Sequence, residues 1–242
     1  MGAPVHLEAI VLRSMRYGEA DRILHLYSLE RGRISAIAKG ARKPKSRFGG
    51  RLEPMMRVRL VVREGRSDLV TVTSVATERA YPRLRESGPA LDAAVRACDA
   101  VGRLFGDGEP APHVFHLLAN LLELLDSDPA RHSHDSTQLA FRLKLLVAAG
   151  LTPQLAHCAV CGAGGELAGF SPAAGGVVCG GCEAGAFPLG EEAHDLLVEA
   201  LGRSLAEAPV SDDPRVLRQV ERAITQTAEH HAHVRLRTAV VL

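Results

Sequence analysis

Four cysteines constrain this chain more than any other feature. They form two Cys-x2-Cys pairs, "HCAVCG" over 157–162 and "VCGGC" over 178–182, with seventeen residues between the pairs. Two thiolates three residues apart can wrap one tetrahedral ion, and a second such pair completes its coordination. Gly162 and Gly180 allow the tight turns that aim backbone amides at sulfur. The spacing predicts a zinc-ribbon module in which Cys158, Cys161, Cys179 and Cys182 hold one structural Zn2+. Its interior, "GAGGELAGFSPAAGG", is too poor in apolar residues to build a core unaided, so metal binding is expected to act as local folding free energy. Four thiolates leave no open position for a substrate. A deaminase would also need His-x-Glu with Pro-Cys-x-x-Cys, and although His6-x-Glu8 occurs, neither cysteine pair follows a proline. Disulfides are the rival reading of the four. The N-terminus has no basic segment leading into an apolar run, so a cytoplasmic location is expected, where paired short spacings bind metal instead. Cys98, on an apolar helical stripe with Leu91, Ala94, Val101 and Phe105, reads as a packed core thiol.

Charge is the second constraint, because it is segregated. Residues 1–85 carry 18 Lys and Arg against 8 Asp and Glu, a net +10, whereas residues 86–242 carry 11 against 20, a net −9. The densest block is "KGARKPKSRFGG" (39–50), with five cations and no acid. A basic block inside a folded unit points to a polyanionic partner, nucleic acid first. The block resembles a phosphate-binding P-loop at Lys45-Ser46, but Lys39 and Pro44 stand where that motif requires glycine, which excludes nucleotide hydrolysis. Phosphate contact is therefore assigned to Lys39, Arg42, Lys43, Lys45, Arg47 and Arg51, with Arg13, Arg57 and Arg59 adding charge from strands. Phe48 reads as the one exposed aromatic for a base to stack on. With so few aromatic platforms, a groove of this kind would grip backbones while leaving most bases free to pair.

Five segments have strand length and alternation: 7–15, 22–29, 33–40, 57–64 and 69–76. Their connectors are short except for 41–56. Five short strands in so few residues predict a small barrel, with an OB-fold as the best candidate and an SH3-like barrel as its competitor, which periodicity does not separate. From residue 89 onward the period becomes helical, over 89–126, 137–150, 190–202 and 214–236, and 127–136 reads as a polar loop whose His132 and His134 are solvated. The "HHAH" of 230–233 reads as a solvated helix face. The expected class is α+β: a nucleic-acid-binding barrel over 1–80, a helical domain over 81–156, the zinc module over 157–188 and terminal helices over 189–242. The longest apolar run, 116–125, is too short to span a bilayer, so no membrane contact is expected. A zinc-ribbon transcription or translation factor would share the cysteines and the basic block.

Three stretches in order, "GEADRILHLYSLERGRISAIAKGARKPKSRFGGRLEP", "FRLKLLVAAGLTPQLAHCAVCG" and "CGGC", resemble the RecO recombination-mediator family of bacteria. The resemblance covers nearly the whole chain and is strongest at 17–54 and 141–182. It implies an N-terminal OB-fold, a helical domain with an embedded zinc module, and no enzymatic active site. It further implies binding of single- and double-stranded DNA, annealing of complementary strands, and cooperation with RecR to load RecA onto strands coated by single-strand-binding protein. Recognition of that protein's acidic C-terminal tail is also implied. Arg142 and Lys144, on a helix of the acidic half, are the candidates for it.

Overall fold

In the computed structural model, residues 3–65, 69–183 and 185–238 are described. The chain divides into two compact units, 1–129 and 130–242.

The first unit begins with five strands: β1 (Pro4–Tyr17), β2 (Asp21–Ser28), β3 (Gly32–Ala38), β4 (Arg57–Arg63) and β5 (Val70–Arg79). They close in the order β1-β2-β3-β5-β4. The long first strand makes closure possible. Its N-terminal half pairs with β4 and its C-terminal half with β2, and a bulge between Val11 and Arg13 bends it between those partners. The last gap is sealed by a short parallel contact, Ala36–Ile37 of β3 against Val70–Thr71 of β5. This is a five-stranded OB barrel. Alternation sends Leu7, Ala9, Val11, Leu24, Leu26, Ala36, Val58, Leu60, Val62 and Val72 into one core. Every strand contributes, which is why the alternating pattern was legible along each of them.

Helices α1 (Pro82–Glu86), α2 (Gly88–Leu104) and α3 (Pro112–Ser127) complete this unit. Helix α2 starts at Ser87, whose hydroxyl accepts from the Ala90 amide. It ends at Phe105, whose ring meets Tyr27 of β2 edge-on at 6.1 Å. Arg33 of β3 donates to Asp107 at 2.6 Å and to the Gly102 carbonyl, tying the end of α2 to the barrel. Cys98 is a buried thiol pushed up to about 12 by loss of hydration, as befits a core residue.

The second unit holds α4 (Pro129–His132), α5 (Asp135–Ala148), a small sheet of β6 (Leu167–Ser171), β7 (Gly176–Cys179) and β8 (Phe187–Pro188) in the order β7-β6-β8, then α6 (Glu191–Gly202) and α7 (Pro214–Ala232). The polar stretch 127–136 is not a solvated loop. It contains α4, His132 is buried, and His134 caps α5 by accepting from the Ser136 amide while its other nitrogen lies 2.9 Å from Asp212 Oδ1. The polar composition serves capping, which periodicity does not reveal. Residues 230, 231 and 233 of the "HHAH" run are exposed, as expected.

The connector from β3 to β4 is ordered as a series of tight turns. Backbone bonds Lys43 N→Gly40 O, Ser46 N→Lys43 O and Arg51 N→Phe48 O fold it back on itself at 3.2, 2.9 and 3.3 Å. Gly40 opens it at φ 70°, a left-handed conformation that favours glycine, and its amide donates to Asp21 Oδ1 at 2.8 Å. Phe48 and Leu52, four residues apart, both enter the barrel core at 1% and 2% exposure. Phe48 is thus an anchor, not an exposed stacking platform. Phe48→Ala is expected to cost about 3–5 kcal/mol of stability, the usual range for an emptied aromatic core site. Thermal and denaturant unfolding read it, and a melting curve unchanged from the parent would show that the ring does not hold the barrel.

Candidate nucleic-acid interface and metal centre

Burial of Phe48 and Leu52 forces their neighbours outward. Lys39, Arg42, Lys43, Lys45, Arg47 and Arg51 are all exposed. Their interactions are with backbone or ring: Arg42 Nη1 donates to the Gly18 and Glu19 carbonyls at 3.2 Å each, Arg51 Nη1 donates to Arg47 O at 3.2 Å, and the Arg47 guanidinium lies 4.9 Å from the Phe48 ring centre. Among the described residues, none of the six lies within 4.0 Å of a carboxylate, and the same holds for exposed Arg13. Their charge is therefore available to a ligand.

The strand arginines differ. Arg57 Nε lies 2.5 Å from Glu8 Oε1 and its Nη1 lies 3.7 Å from Glu123, while Arg59 is paired with Glu78. Their two-residue spacing does put them on one face of β4. What spacing could not show is that this face meets carboxylates of β1, β5 and α3. Arg57 also rests 5.5 Å from the Phe115 ring centre, so it ties the barrel to α3 within the first unit. Of the nine cations assigned to phosphate, the six of the connector and Arg13 are thus the ones without a carboxylate partner among the described residues.

The sequence reading missed Tyr17. It sits at the end of β1 beside the hairpin turn whose carbonyls Arg42 grips, and it is 54% exposed. The expected first strand ends at residue 15, so Tyr17 falls in the connector to the second, whereas β1 runs on to Tyr17 and ends there.

The two residues assigned to an acidic tail are structural as well. Arg142, expected on the surface, is 2% exposed, with Nη1 3.8 Å from Glu221 Oε1 of α7. Lys144 donates to the carbonyls of Leu201 and Arg203 at 3.4 and 2.8 Å, placing its ammonium at the C-terminus of α6 where the helix dipole is negative. Burial lowers its pKa. Helix α5 is surrounded more fully than its sequence pattern implied.

The four cysteines do converge. Their sulfurs all lie within 4.8 Å of one another, and Cys161 and Cys179 are 3.8 Å apart, as two thiolates bound to one tetrahedral ion at about 2.3 Å would be. None is in a disulfide. The first pair sits in a knuckle closed by Gly162 N→Cys158 O at 2.9 Å, with Gly162 at φ 73°. The Cys161, Cys179 and Val160 amides directed at Cys158 lower the pKa of its thiol. Hydrogen bonding to Cys161 and Cys179 raises that of Cys182. Four crowded sulfurs cannot all ionise without a cation, and a thiophilic divalent ion is what would let them. These residues could hold such an ion with no position left open. The module also has apolar packing, since Phe170 and Phe187 lie 5.7 Å apart between ring centres and the Arg222 guanidinium of α7 lies 4.2 Å from the Phe187 ring centre. Gly176 runs so close to residue 154 that a Cβ would fall 2.3 Å from the Gln154 carbonyl oxygen.

The chain thus joins an OB barrel with a cationic connector to a helical unit carrying a four-cysteine cluster that could hold a metal ion. Family models for "Recombination protein O N terminal" and "Recombination protein O C terminal" match residues 1–81 and 85–239. Similar proteins include DNA repair protein RecO of Anaeromyxobacter sp. (strain K), 37% identical over 96% of this chain and 93% of its own. RecO of Rubrobacter xylanophilus is 40% identical over 88% of each chain, and that of Geobacter sulfurreducens 41% over 82% of this chain and 81% of its own. The chain belongs to the RecO family of DNA repair proteins. Among the described residues, no helix is long and apolar enough to cross a membrane.

Cys161→Ser removes one sulfur from the cluster. Metal content by atomic spectroscopy is expected to fall from one equivalent per chain to a small fraction, with faster amide exchange confined to 157–188. Unchanged metal content would show that the cluster is not the binding site.

Proposed function

We propose that this protein is a non-enzymatic recombination mediator, in which the connector and Arg13 neutralise phosphates of single- and double-stranded DNA and so allow complementary strands to anneal. The observation that carries this reading is the row of six exposed connector cations without a carboxylate partner, held on a core anchor. Screening by those cations lowers repulsion between two strands, and base pairing then joins them. The contacts go to phosphate, which carries no sequence information, so binding should be general. That separates the proposal from a sequence-selective zinc-ribbon transcription factor.

Membership of the family supports three further assignments. The protein acts with RecR to load RecA onto strands coated by single-strand-binding protein, and it recognises the acidic C-terminal tail of that protein. It works in the cytoplasm, on the nucleoid. The ion of the cysteine cluster is zinc, and its role is to hold the module's fold, since four sulfurs close its coordination. The tail site is not assigned to Arg142 and Lys144, whose groups are engaged within the second unit.

If the six connector cations each meet a phosphate, log Kobs for single-stranded DNA should fall against log salt with a slope of about −4, from about −0.7 per contact. Reversing charge at Arg42, Lys43 and Lys45 together should reduce the slope by about 2 and slow annealing at low salt. Annealing and slope both unaltered in that triple variant would remove the connector from the mechanism.

A further inference from the structure

The four clustered cysteines are not equally exposed. Cys158 is 2% exposed, and its neighbour Ala159 is bonded through its amide to the Val177 carbonyl of β7 at 2.8 Å. Cys161 is exposed and stands at the tip of the same knuckle beside Val160, which is 61% exposed. Cys179 and Cys182 are half-buried. The cluster therefore has a closed side at Cys158 and an open side at Cys161. Cys161 Sγ lies 3.8 Å from Cys179 Sγ, and these two sulfurs belong to different Cys-x2-Cys pairs. Backbone holds them together as well as any ion would. Cys179 is fixed opposite Leu167 by the β6–β7 register, and the first knuckle is tied to the same strand by the Ala159 amide. Gly162 and Gly180 flank the two sulfurs, and a Cβ at either would meet nothing within 4 Å, so both knuckle tips have room to move.

We propose that Cys161 and Cys179 are a site of reversible oxidative modification, at which hydrogen peroxide joins the two knuckles by a disulfide and the cluster gives up its ion. The inference rests on the metal-centre reading above and adds a chemistry to it. Exposure selects the first sulfur, because an oxidant from solvent meets Cys161 before the others. Its thiolate attacks one peroxide oxygen: the S–O bond forms, the O–O bond breaks and hydroxide leaves. Cys179 then attacks the resulting sulfenic sulfur, forming S–S as the S–O bond breaks and a second hydroxide departs. Two thiolates have lost two electrons and one peroxide has gained them. Closing 3.8 Å to the roughly 2.05 Å of a disulfide needs a small shift of two knuckle tips. Only Cys158 and Cys182 remain as thiolates, half the set that a closed tetrahedral site requires. The module nevertheless keeps its fold, because the new bond links the same two knuckles and Phe170 and Phe187 still pack beneath Arg222. A dithiol reverses the change by attacking the open Cys161 sulfur, releasing Cys179 as thiolate and then closing on itself. Cys98, buried in the first unit, is out of reach of this chemistry.

The unaltered, Zn2+-loaded protein tests this directly. After treatment with a stoichiometric amount of hydrogen peroxide, two of its five cysteines should resist alkylation, and a chromogenic chelator should capture about one ion per chain. Cleavage after glutamate then separates the two cysteine pairs, since Glu166 lies between them and Glu183 follows the second. Mass spectrometry should find those two peptides linked through Cys161 and Cys179, with Cys98, Cys158 and Cys182 alkylated. Dithiothreitol with added Zn2+ should return both thiols and the bound ion. Disulfides confined within each pair, oxidation of Cys98 as fast as Cys161, or a linked product that retains its ion would overturn the proposal. Failure of the untreated protein to hold any ion would overturn the metal-centre reading and this proposal together. An ion that stays bound, with all five thiols still free after treatment, would overturn this proposal alone.

Discussion

Two buried side chains hold the cationic connector in place. Phe48 and Leu52 enter the barrel core from the β3–β4 connector, and each such burial stabilises by about 1.5–3 kcal/mol. The exposed cations around them repel one another, but in water two unit charges at 4 Å interact by only about 1 kcal/mol, and salt weakens that further. Anchoring therefore outweighs repulsion. A run that would otherwise extend under its own charge is folded into successive turns, with cations directed to solvent and the apolar residues inward. The pair also explains why the connector is long: it must reach the core and return before β4 begins.

The same division between inward and outward groups runs through the barrel's charges. Arg57 and Arg59 have the residue type and strand parity of a phosphate-binding pair, yet Glu8, Glu78 and Glu123 engage them. These exposed and half-exposed pairs contribute little stability individually, but they decide where positive charge remains available. Of the cations assigned to phosphate, those left without a carboxylate are on the connector and at Arg13. The exposed positive charge is therefore uneven over the barrel.

In the second unit, a polar centre and an apolar one support each other. The cysteine cluster fixes the two knuckles, and Phe170 and Phe187 give the intervening sheet an apolar side that α7 covers through Arg222. Lys144 and Arg142, placed by sequence on a binding surface, serve the contacts among α5, α6 and α7. A long cationic side chain can bury its stem and direct its head to a carbonyl or carboxylate, and residue type alone does not distinguish that from an exposed ligand contact.

Local pattern determined much of this protein. The cysteine spacing specified a four-sulfur cluster, because ligands three residues apart reach one ion whatever surrounds them. Alternation located five strands, since period two survives in any sheet with one buried face, and the charge count located the basic segment. Tertiary structure decided the rest: the burial of Phe48 and Arg142, the pairing of Arg57 and Arg59, the capping role of His134, and the exposure of Tyr17 while Tyr27 on the same face is covered. Each of these depends on which distant segment arrives opposite a residue. Glu123 is 66 positions from Arg57, and Phe105 is 78 from Tyr27. Periodicity reports which residues share a face, and only long-range packing settles whether that face meets a helix, a carboxylate or water.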